Sequence, residues 1–508
     1  MIILLVWIFF SLLAFHLCTH FNKAGRLINK IPGPTVVPLI GNLLHLNVPE
    51  GKVYKLVGRI ADEFYPIFRF WFPSFPMVFI RHPNDMSEIL SSKVNINKGS
   101  AYDNMRHCGN DGLIFSGGEK WYHRRKLLNP AFSPNMLKVS SAIVSEHAEK
   151  LTQYLESQGD ESVQELMPLF LRLTLDIICE TGMGINLDEC SIPGAEEQRE
   201  AIDFALDVTA YRTLRPYVTD FMMKFLPMGR KQSRLLKEGR KFRNEVIDIR
   251  RKHYQQNGYE GLKKSIENDD VGFYSGRQGR KGLSVIDILL SAERDGLIDS
   301  KGVDEEVETF IAAGSGTTAL TMIYLLLQLS ENQEAQTLAR AEANEILAQC
   351  GGKLTVSDVK KMDYIDRCIK ESMRILPTVP KLNRVLNKEA KLSGYVVPPK
   401  SEVVMLIHET HRDPNYWPDP QKFDPDRFLP ENTKNRHPYA YVPFSTGPRQ
   451  CIAYKYALIT VKILLSRILN KFKLEPVQRV ADVDFRITLD LRPTKPVYVK
   501  FIRVKDSQ

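Results

Sequence analysis

Residues 305–329 restrict this 508-residue chain more than any other segment: apolar side chains dominate every helical face of the window, which also carries two glycines, Gly314 and Gly316. A surface helix keeps one polar face, so a helix apolar all round has to run through the interior, wrapped by other elements. Burying it takes a large body, and the length allows one very large domain or two to three ordinary ones. The neighbouring patterns are helical too. Residues 332–349 are Ala- and Glu-rich and amphipathic, and 364–376 form a second amphipathic run stopped by Pro377. The β-like runs at 77–81 and 402–407 are short and few. The expected fold class is mainly α with a small β portion, an α+β body around one long central helix.

Composition narrows the chemistry. Hydrophobic residues at 43% and charged residues at 25%, with 30 Gly and 29 Pro, exclude collagen-like, disulfide-scaffold and wholly disordered classes. A net charge of +9 suits an anionic membrane surface or an acidic protein partner, and no arginine-rich tract or zinc-finger spacing points to nucleic acid. Seven scattered cysteines without a Cys-x-x-Cys argue against a disulfide framework or structural zinc, and for a reducing compartment.

Residues 1–21 carry no formal charge, and 2–15 are apolar except for Ser11. A spanning helix needs about 20 residues, so the segment reads as a membrane anchor of barely sufficient length. A cleaved signal peptide is the alternative, but there is no basic n-region and no small-x-small cleavage site. Lys23, Arg26 and Lys30 follow, which puts the bulk of the protein on the cytosolic side. The expected organisation is an anchor at 1–21, a basic and proline-rich connector at 22–40, and a catalytic body at 41–508. The Gly- and charge-rich stretch 255–282 reads as an exposed loop within that body.

The strongest chemical signal is Phe444-Ser445-Thr446-Gly447-Pro448-Arg449-Gln450-Cys451-Ile452-Ala453, a tight Gly-Pro loop handing over to an apolar helical run. A helix N-terminus offers unpaired N–H groups and the positive dipole end, and both stabilise a thiolate. Phe444 would shield the sulfur, and Arg449 would pair with a carboxylate above it. Taken alone, a cysteine near a helix start is structural more often than not. The surrounding pattern reverses this, because it resembles the haem-ligand signature of the cytochrome P-450 superfamily, Phe-x-x-Gly-x-Arg-x-Cys-x-Gly. Phe444, Gly447, Arg449 and Cys451 meet it, and Ala453 replaces the last Gly.

Three more motifs join it. Glu371-Ser372-Met373-Arg374, with Arg427 of Phe423-Asp424-Pro425-Asp426-Arg427-Phe428, resembles the family's buried ion-pair network that holds the haem-binding loop. Trp121-Tyr122-His123-Arg124-Arg125 resembles the helix whose indole and guanidinium reach haem propionates, a task that suits the bidentate arginine fork. By the same resemblance Arg384 and Arg449 also face propionates; a solvated basic surface is the alternative. Ala313-Gly314-Ser315-Gly316-Thr317-Thr318 aligns with Ala/Gly-Gly-x-Asp/Glu-Thr-Thr, so Gly316 stands where the family has an acid. Glycine inside a helix costs roughly 1 kcal/mol against Ala. The resemblance offsets that with a local widening that admits dioxygen, Thr317 guiding protons with help from Ser315; a glycine-bearing packing site is the alternative.

What the resemblance implies is a haem-thiolate monooxygenase binding haem b. Cys451 is its axial ligand, with Phe444, Trp121, Arg125, Arg384 and Arg449 around the cofactor and Thr317 and Ser315 as catalytic residues. Ala313 replaces the glutamate that esterifies haem in some family-four hydroxylases, so no further covalent link is expected. Residues 118–132 look most like that clan and its insect relatives, which implies an endoplasmic reticulum membrane location. The implied partners are an NADPH-cytochrome P-450 reductase, cytochrome b5 as a further candidate, and a lipophilic substrate: a fatty acid, a hormone-like compound or a xenobiotic. Arg124, Lys126, Arg436 and Lys455 are candidates for the reductase-facing surface, a solvated basic face being equally fair. The pocket would draw on 99–116, Ile311, Ala312 and 377–382, and 211–228 is either an entrance against the bilayer or a buried helix. Gly316 leaves open a haem-thiolate isomerase or dehydratase, or a haem-binding sensor.

Overall fold

The computed structural model describes residues 2–73, 75–106, 111–190, 192–215, 217–257 and 284–504. The central helix spans Ser300–Glu331 and is capped by Asp299, whose side chain accepts the Gly302 N–H. Its residues from Ala319 to Leu329 are almost wholly buried, apart from Thr321. Length and composition alone would let this helix cross a membrane, but its burial marks it as the core of the body. The helix Leu166–Met183 packs along it, and the helix Tyr454–Lys471, which follows Cys451, packs against both it and Pro134–Ser157. Gln333–Gln349 and Asp363–Ile375 complete this side, within two residues of the sequence expectation. One continuous apolar cluster, from Trp121 through Phe170, Ile323 and Leu464 to Phe501, joins these helices.

The β portion is small and lies to one side. Ile67–Trp71, Pro76–Ile80, Glu402–Leu406 and Lys381–Val385 form a four-stranded sheet in that order, with Pro76–Ile80 and Glu402–Leu406 parallel and the outer pairs antiparallel. The two β-like runs in the sequence are therefore the inner strands, and every residue of Glu402–Leu406 is buried. A three-stranded sheet of Glu161–Glu165, Tyr498–Arg503 and Phe472–Pro476 closes the other end of the chain onto the core.

At the N-terminus a helix covers Ile2–Phe21, and Asn22 caps a second, Lys23–Asn29, through the Gly25 N–H. The basic half of the connector is thus helical, and the prolines begin where the helix has ended. The connector is packed rather than free: Ile28 and Ile31 are buried with Trp71, Val78 and Ile80, and Asn29 Oδ1 accepts from the Trp71 indole at 3.0 Å. The segment 211–228 splits between the end of Ala195–Leu214, a short helix Asp220–Phe225 and the start of Pro227–Asn257. Tyr217, Phe221 and Phe225 project outward, while Val218 and Met223 are buried. Most of the stretch 255–282, and Cys108, lie outside the described residues; the six described cysteines are free thiols.

Candidate active site

The cysteine loop is fixed by its own backbone before any ligand is considered. Gly447 takes φ +69°, and a Cβ there would lie 2.1 Å from the Leu90 carbonyl oxygen, so only glycine fits. Ser445 is also left-handed at φ +59°. The Cys451 N–H donates to the Phe444 carbonyl at 3.0 Å and the Gln450 N–H to that of Gly447 at 3.1 Å, closing the loop under Cys451. Phe444 packs against the main core.

The helix itself starts at Tyr454, with Ala453 as its cap. Cys451 therefore sits two residues ahead of the cap, where the loop hands over to the helix. Burial pushes its thiol pKa up, and the opposing Ala453 N–H and Arg125 guanidinium do not overcome it. The helix end alone does not make a thiolate here. A metal ion held at this position would, since a metal-bound thiol gives up its proton outright.

The ion-pair network lies behind the loop. Arg374 donates through Nε and Nη2 to the two Glu371 oxygens, both at 2.8 Å, and both residues are fully buried. Glu371 Oε1 also accepts the Asp424 N–H at 3.0 Å and stands 3.3 Å from Arg427 Nε. Arg374 donates further to the His411 and Pro420 carbonyls. His411, whose pKa burial lowers to about 3, stays neutral and accepts the Val442 N–H at 2.8 Å, two residues before Phe444. A buried bidentate pair whose Oε1 also takes a backbone N–H from the following segment is a rigid frame for the chain leading into the loop. These residues contact the loop's approach and not Cys451, in keeping with a structural role.

On the other side of the loop is a cluster of cations. Arg125 Nη1 donates to the Gln450 carbonyl at 2.7 Å. Arg449 Nη2 donates to the Ser116 carbonyl at 2.8 Å, and its Cζ lies 4.7 Å from the centroid of Trp121. Arg384 is buried and, among the described residues, donates only to the neighbouring Asn383 carbonyl. Lys98, which sequence reading missed, joins them with Nζ 4.3 Å from the Tyr102 ring. Its position in Asn97-Lys98-Gly99 follows no motif, so only the fold reveals it. Burial and mutual repulsion lower the pKa of Lys98 well below the lysine range and that of Arg449 to about 9, while burial lowers that of Arg384. None of the four cations has a carboxylate partner among the described residues. Buried cations without counter-ions are costly, so this arrangement fits a bound polyanion. Two propionates flanking a planar group over Cys451 would meet that need, and the residues present fit haem b.

The central helix separates residues that the motif groups together. It runs without a break through 311–320, and the Thr317 hydroxyl donates to the Ala313 carbonyl at 2.7 Å. The hydroxyls of Ser315 and Thr317 each bond back one turn rather than towards the accessible face. Ser315 is also not beside Thr317: two residues turn a helix by roughly 200°. Ser315 is buried, its hydroxyl bonded to the Ile311 carbonyl, and its own carbonyl accepts from Thr174 of the packed helix at 2.9 Å. Ala313, Thr317 and Thr321 share one face and keep accessible surface. The glycines separate likewise. A Cβ on Gly314 would meet Ile178 Cγ1 at 2.6 Å, so close helix packing explains it, whereas a Cβ on Gly316 would meet only Arg492 Nη2, at 3.6 Å. Arg492 is buried and held by Asp203 at 2.7 Å and Asp490 at 3.0 Å.

Of the basic surface candidates, Lys126 and Lys455 are exposed. Arg124 turns inward to within 4.0 Å of Glu306, and Arg436 stacks 3.9 Å from the centroid of Trp417.

Comparison with known proteins agrees with this geometry. The family model for cytochrome P450 matches residues 31–501. The chain is 34% identical over 462 residues to a probable cytochrome P450 4ac1 of Drosophila melanogaster, covering 90% of this chain and 87% of that protein. It is 33% identical over 501 residues to cytochrome P450 4V2 of Mus musculus, with 96% and 93% covered, and 31% identical over 485 residues to cytochrome P450 4c21 of Blattella germanica, with 94% of each. A cysteine loop, a buried ion-pair frame and an uncompensated cation cluster on one fold, matched over nearly the whole length by these relatives, place the chain in the cytochrome P450 family, among the family-four haem-thiolate monooxygenases.

Proposed function

We propose that this protein is a membrane-anchored monooxygenase that inserts one oxygen atom from dioxygen into a lipophilic substrate, with electrons delivered by an NADPH-cytochrome P450 reductase and cytochrome b5 as a second donor. The observation that carries it is the cation cluster of Arg125, Arg384, Arg449 and Lys98 beside Cys451, a site suited to a dianionic planar group and left without counter-ions by the described residues. In this reading Cys451 would hold the haem iron through its sulfur, Phe444 would shield that sulfur, and Trp121 supports Arg449 through its ring face. When bound, haem b supplies oxygen activation. The protein's part is to hold and orient the group, keep water from the sulfur, and move protons along the accessible face of the central helix. Thr317 serves that last role. Ser315, on the opposite face, positions the helix against Thr174 instead.

Support for the membrane comes from the Ile2–Phe21 helix, which exposes Ile3, Trp7, Phe10, Phe15 and Phe21, and from the outward Tyr217, Phe221 and Phe225. The cytosolic face of the endoplasmic reticulum is the location this supports, with Lys126 and Lys455 offered to an acidic reductase surface. The test is oxygen uptake by the full-length, haem-loaded protein in vesicles with reductase. NADPH-dependent uptake that rises with a lipophilic substrate is the expected result. Turnover of a peroxide alone, with no NADPH requirement, would overturn the oxygen-inserting reading in favour of an isomerase.

A further inference from the structure

Arg492, in the short strand Leu491–Pro493, has one arm that the fold leaves unused. Nη1 donates to Asp203 Oδ1 at 2.7 Å and Nε to Asp490 Oδ1 at 3.0 Å. Nη2 has no hydrogen-bond partner among the described residues, although Arg492 is only 2% exposed. This arm lies 3.6 Å from where a Gly316 Cβ would stand, alone within 4 Å of that point among the described residues. It is therefore aimed into the space that glycine leaves on the central helix. Helical geometry makes that space adjoin Thr317, because residues 312, 313, 316 and 317 form one patch of neighbours on a helix surface. Ala312, Ala313 and Gly316 carry a methyl or nothing, so the helix itself puts nothing bulkier between Arg492 and the Thr317 hydroxyl.

Charge decides what the unused arm takes. Burial lowers the Arg492 pKa, but Asp490 and Asp203 outweigh it and raise it, so the guanidinium stays charged and only positions its partners. Two carboxylates already answer its single charge, and a third anion would be repelled. The arm therefore suits a neutral acceptor, a water oxygen. The proton itself has to come from a carboxyl, since a threonine hydroxyl passes protons on but does not store them at neutral pH. Asp490 is buried and also accepts from Thr488. The Asp203 side chain is 32% exposed and stays in exchange with bulk water.

We propose that Asp203, held in place by Arg492, is the acid that supplies protons to Thr317 through the space beside Gly316, with Arg492 as its positioning residue. This rests on the monooxygenase reading, since it names the proton source of the same reaction. In each transfer Asp203 gives its proton to a water held on Arg492 Nη2, that water gives one to Thr317 Oγ1, and Asp203 recovers a proton from bulk water. No electrons move in this step. A pair serving only to dock the helix Ala195–Leu214 would duplicate Asp207, one turn on, which already pairs with Arg486 at 2.7 Å. It would also give Nη2 no reason to face Gly316.

The test is NADPH-dependent oxygen uptake by the full-length, haem-loaded protein in vesicles with reductase, in light and heavy water, with and without dodecanoic acid as the probe. Asp203→Asn keeps the size and still accepts from Arg492, and the Asp207–Arg486 pair keeps the helix docked. Uptake should fall about 10²-fold, the lower end of what an acid–base group contributes, with a larger solvent isotope effect than in wild type. Asp203→Glu should recover most of the loss. Gly316→Asp, made on top of Asp203→Asn, should recover it too, because it puts a carboxyl at Arg492 Nη2 itself, and it should help the otherwise unaltered protein far less. An acid on another element does not repair a merely structural pair. Unchanged uptake in Asp203→Asn, or a loss that Gly316→Asp does not reverse, would overturn the proposal. So would an equal gain from Gly316→Asp in both backgrounds, which would mean that Thr317 works without Asp203. The reduced carbon monoxide spectrum of every variant keeps the two readings apart. A thiolate-type band with uptake indifferent to Asp203 removes the proton source only, and a missing band or no NADPH-dependent uptake in wild type removes the monooxygenase reading itself.

Discussion

Arg384 is buried, Arg449 is half-buried, and neither has an acid partner among the described residues, which defines what the site needs. Replacing either by Met removes a buried positive charge that only a bound anion compensates. The apoprotein should therefore hold or gain stability while haem retention falls, roughly tenfold per lost charge-assisted contact. Thermal unfolding of apoprotein and haem content after gel filtration read the two effects separately. Gly314 and Gly316 look equivalent in the sequence but predict opposite outcomes. Gly314→Ala forces Ile178 aside and should cost about 1–3 kcal/mol, as overpacking does, measurable by urea unfolding. Gly316→Asp meets only Arg492 and should fold normally, forming an ion pair where the family's acid would stand. If Thr317 alone carries the proton route, this variant should yield more product and less peroxide per NADPH. Nothing in the motif distinguishes the two positions, because what separates them is Ile178 and Arg492, distant in sequence and adjacent only in the fold.

The cysteine loop and the N-terminal helix show how far single elements depend on their neighbours. His411 must remain neutral to accept the Val442 N–H. Its folded pKa of about 3 lies below the ordinary value of 6.5, so between these values the unfolded chain binds the extra proton. The stability His411 contributes is therefore fully present above pH 6.5 and is lost as pH falls towards 3. Melting temperature should drop between pH 7 and pH 5, and His411→Gln, which accepts without titrating, should flatten that slope. The N-terminal helix is docked at its end: the His20 ring stacks on Trp71 with centroids 3.7 Å apart, and the His20 carbonyl accepts from Asn29. Deleting residues 2–16 should weaken membrane attachment and leave haem binding and stability intact, whereas deletion through Phe21 should also lower the melting temperature. The sequence located the anchor by composition and the connector by its prolines. It held no sign that the connector's first half is a helix packed on the sheet, since Ile28 and Ile31 reveal their burial only against Trp71 and Ile80.

Across the whole molecule, legibility follows how local the cause is. The central helix was readable because burial on all sides leaves an apolar mark on every face, and the ion-pair frame because its spacing is fixed within one helix turn. The two inner strands were visible as runs, but their parallel pairing joins residues more than three hundred positions apart. Thr317 and Ser315 were grouped by motif and then separated by helical geometry. Lys98 went unnoticed, being a lysine whose isolation from acids among the described residues is a property of the fold. The proposed function turns on Cys451 as the residue that would hold the cofactor, and one measurement tests this most directly: the reduced carbon monoxide difference spectrum of the wild-type protein and of Cys451→Ala. The account predicts the strongly red-shifted band of a thiolate-ligated haem in wild type and its loss in the variant. An unshifted band in wild type, or the same red-shifted band in Cys451→Ala, would contradict it.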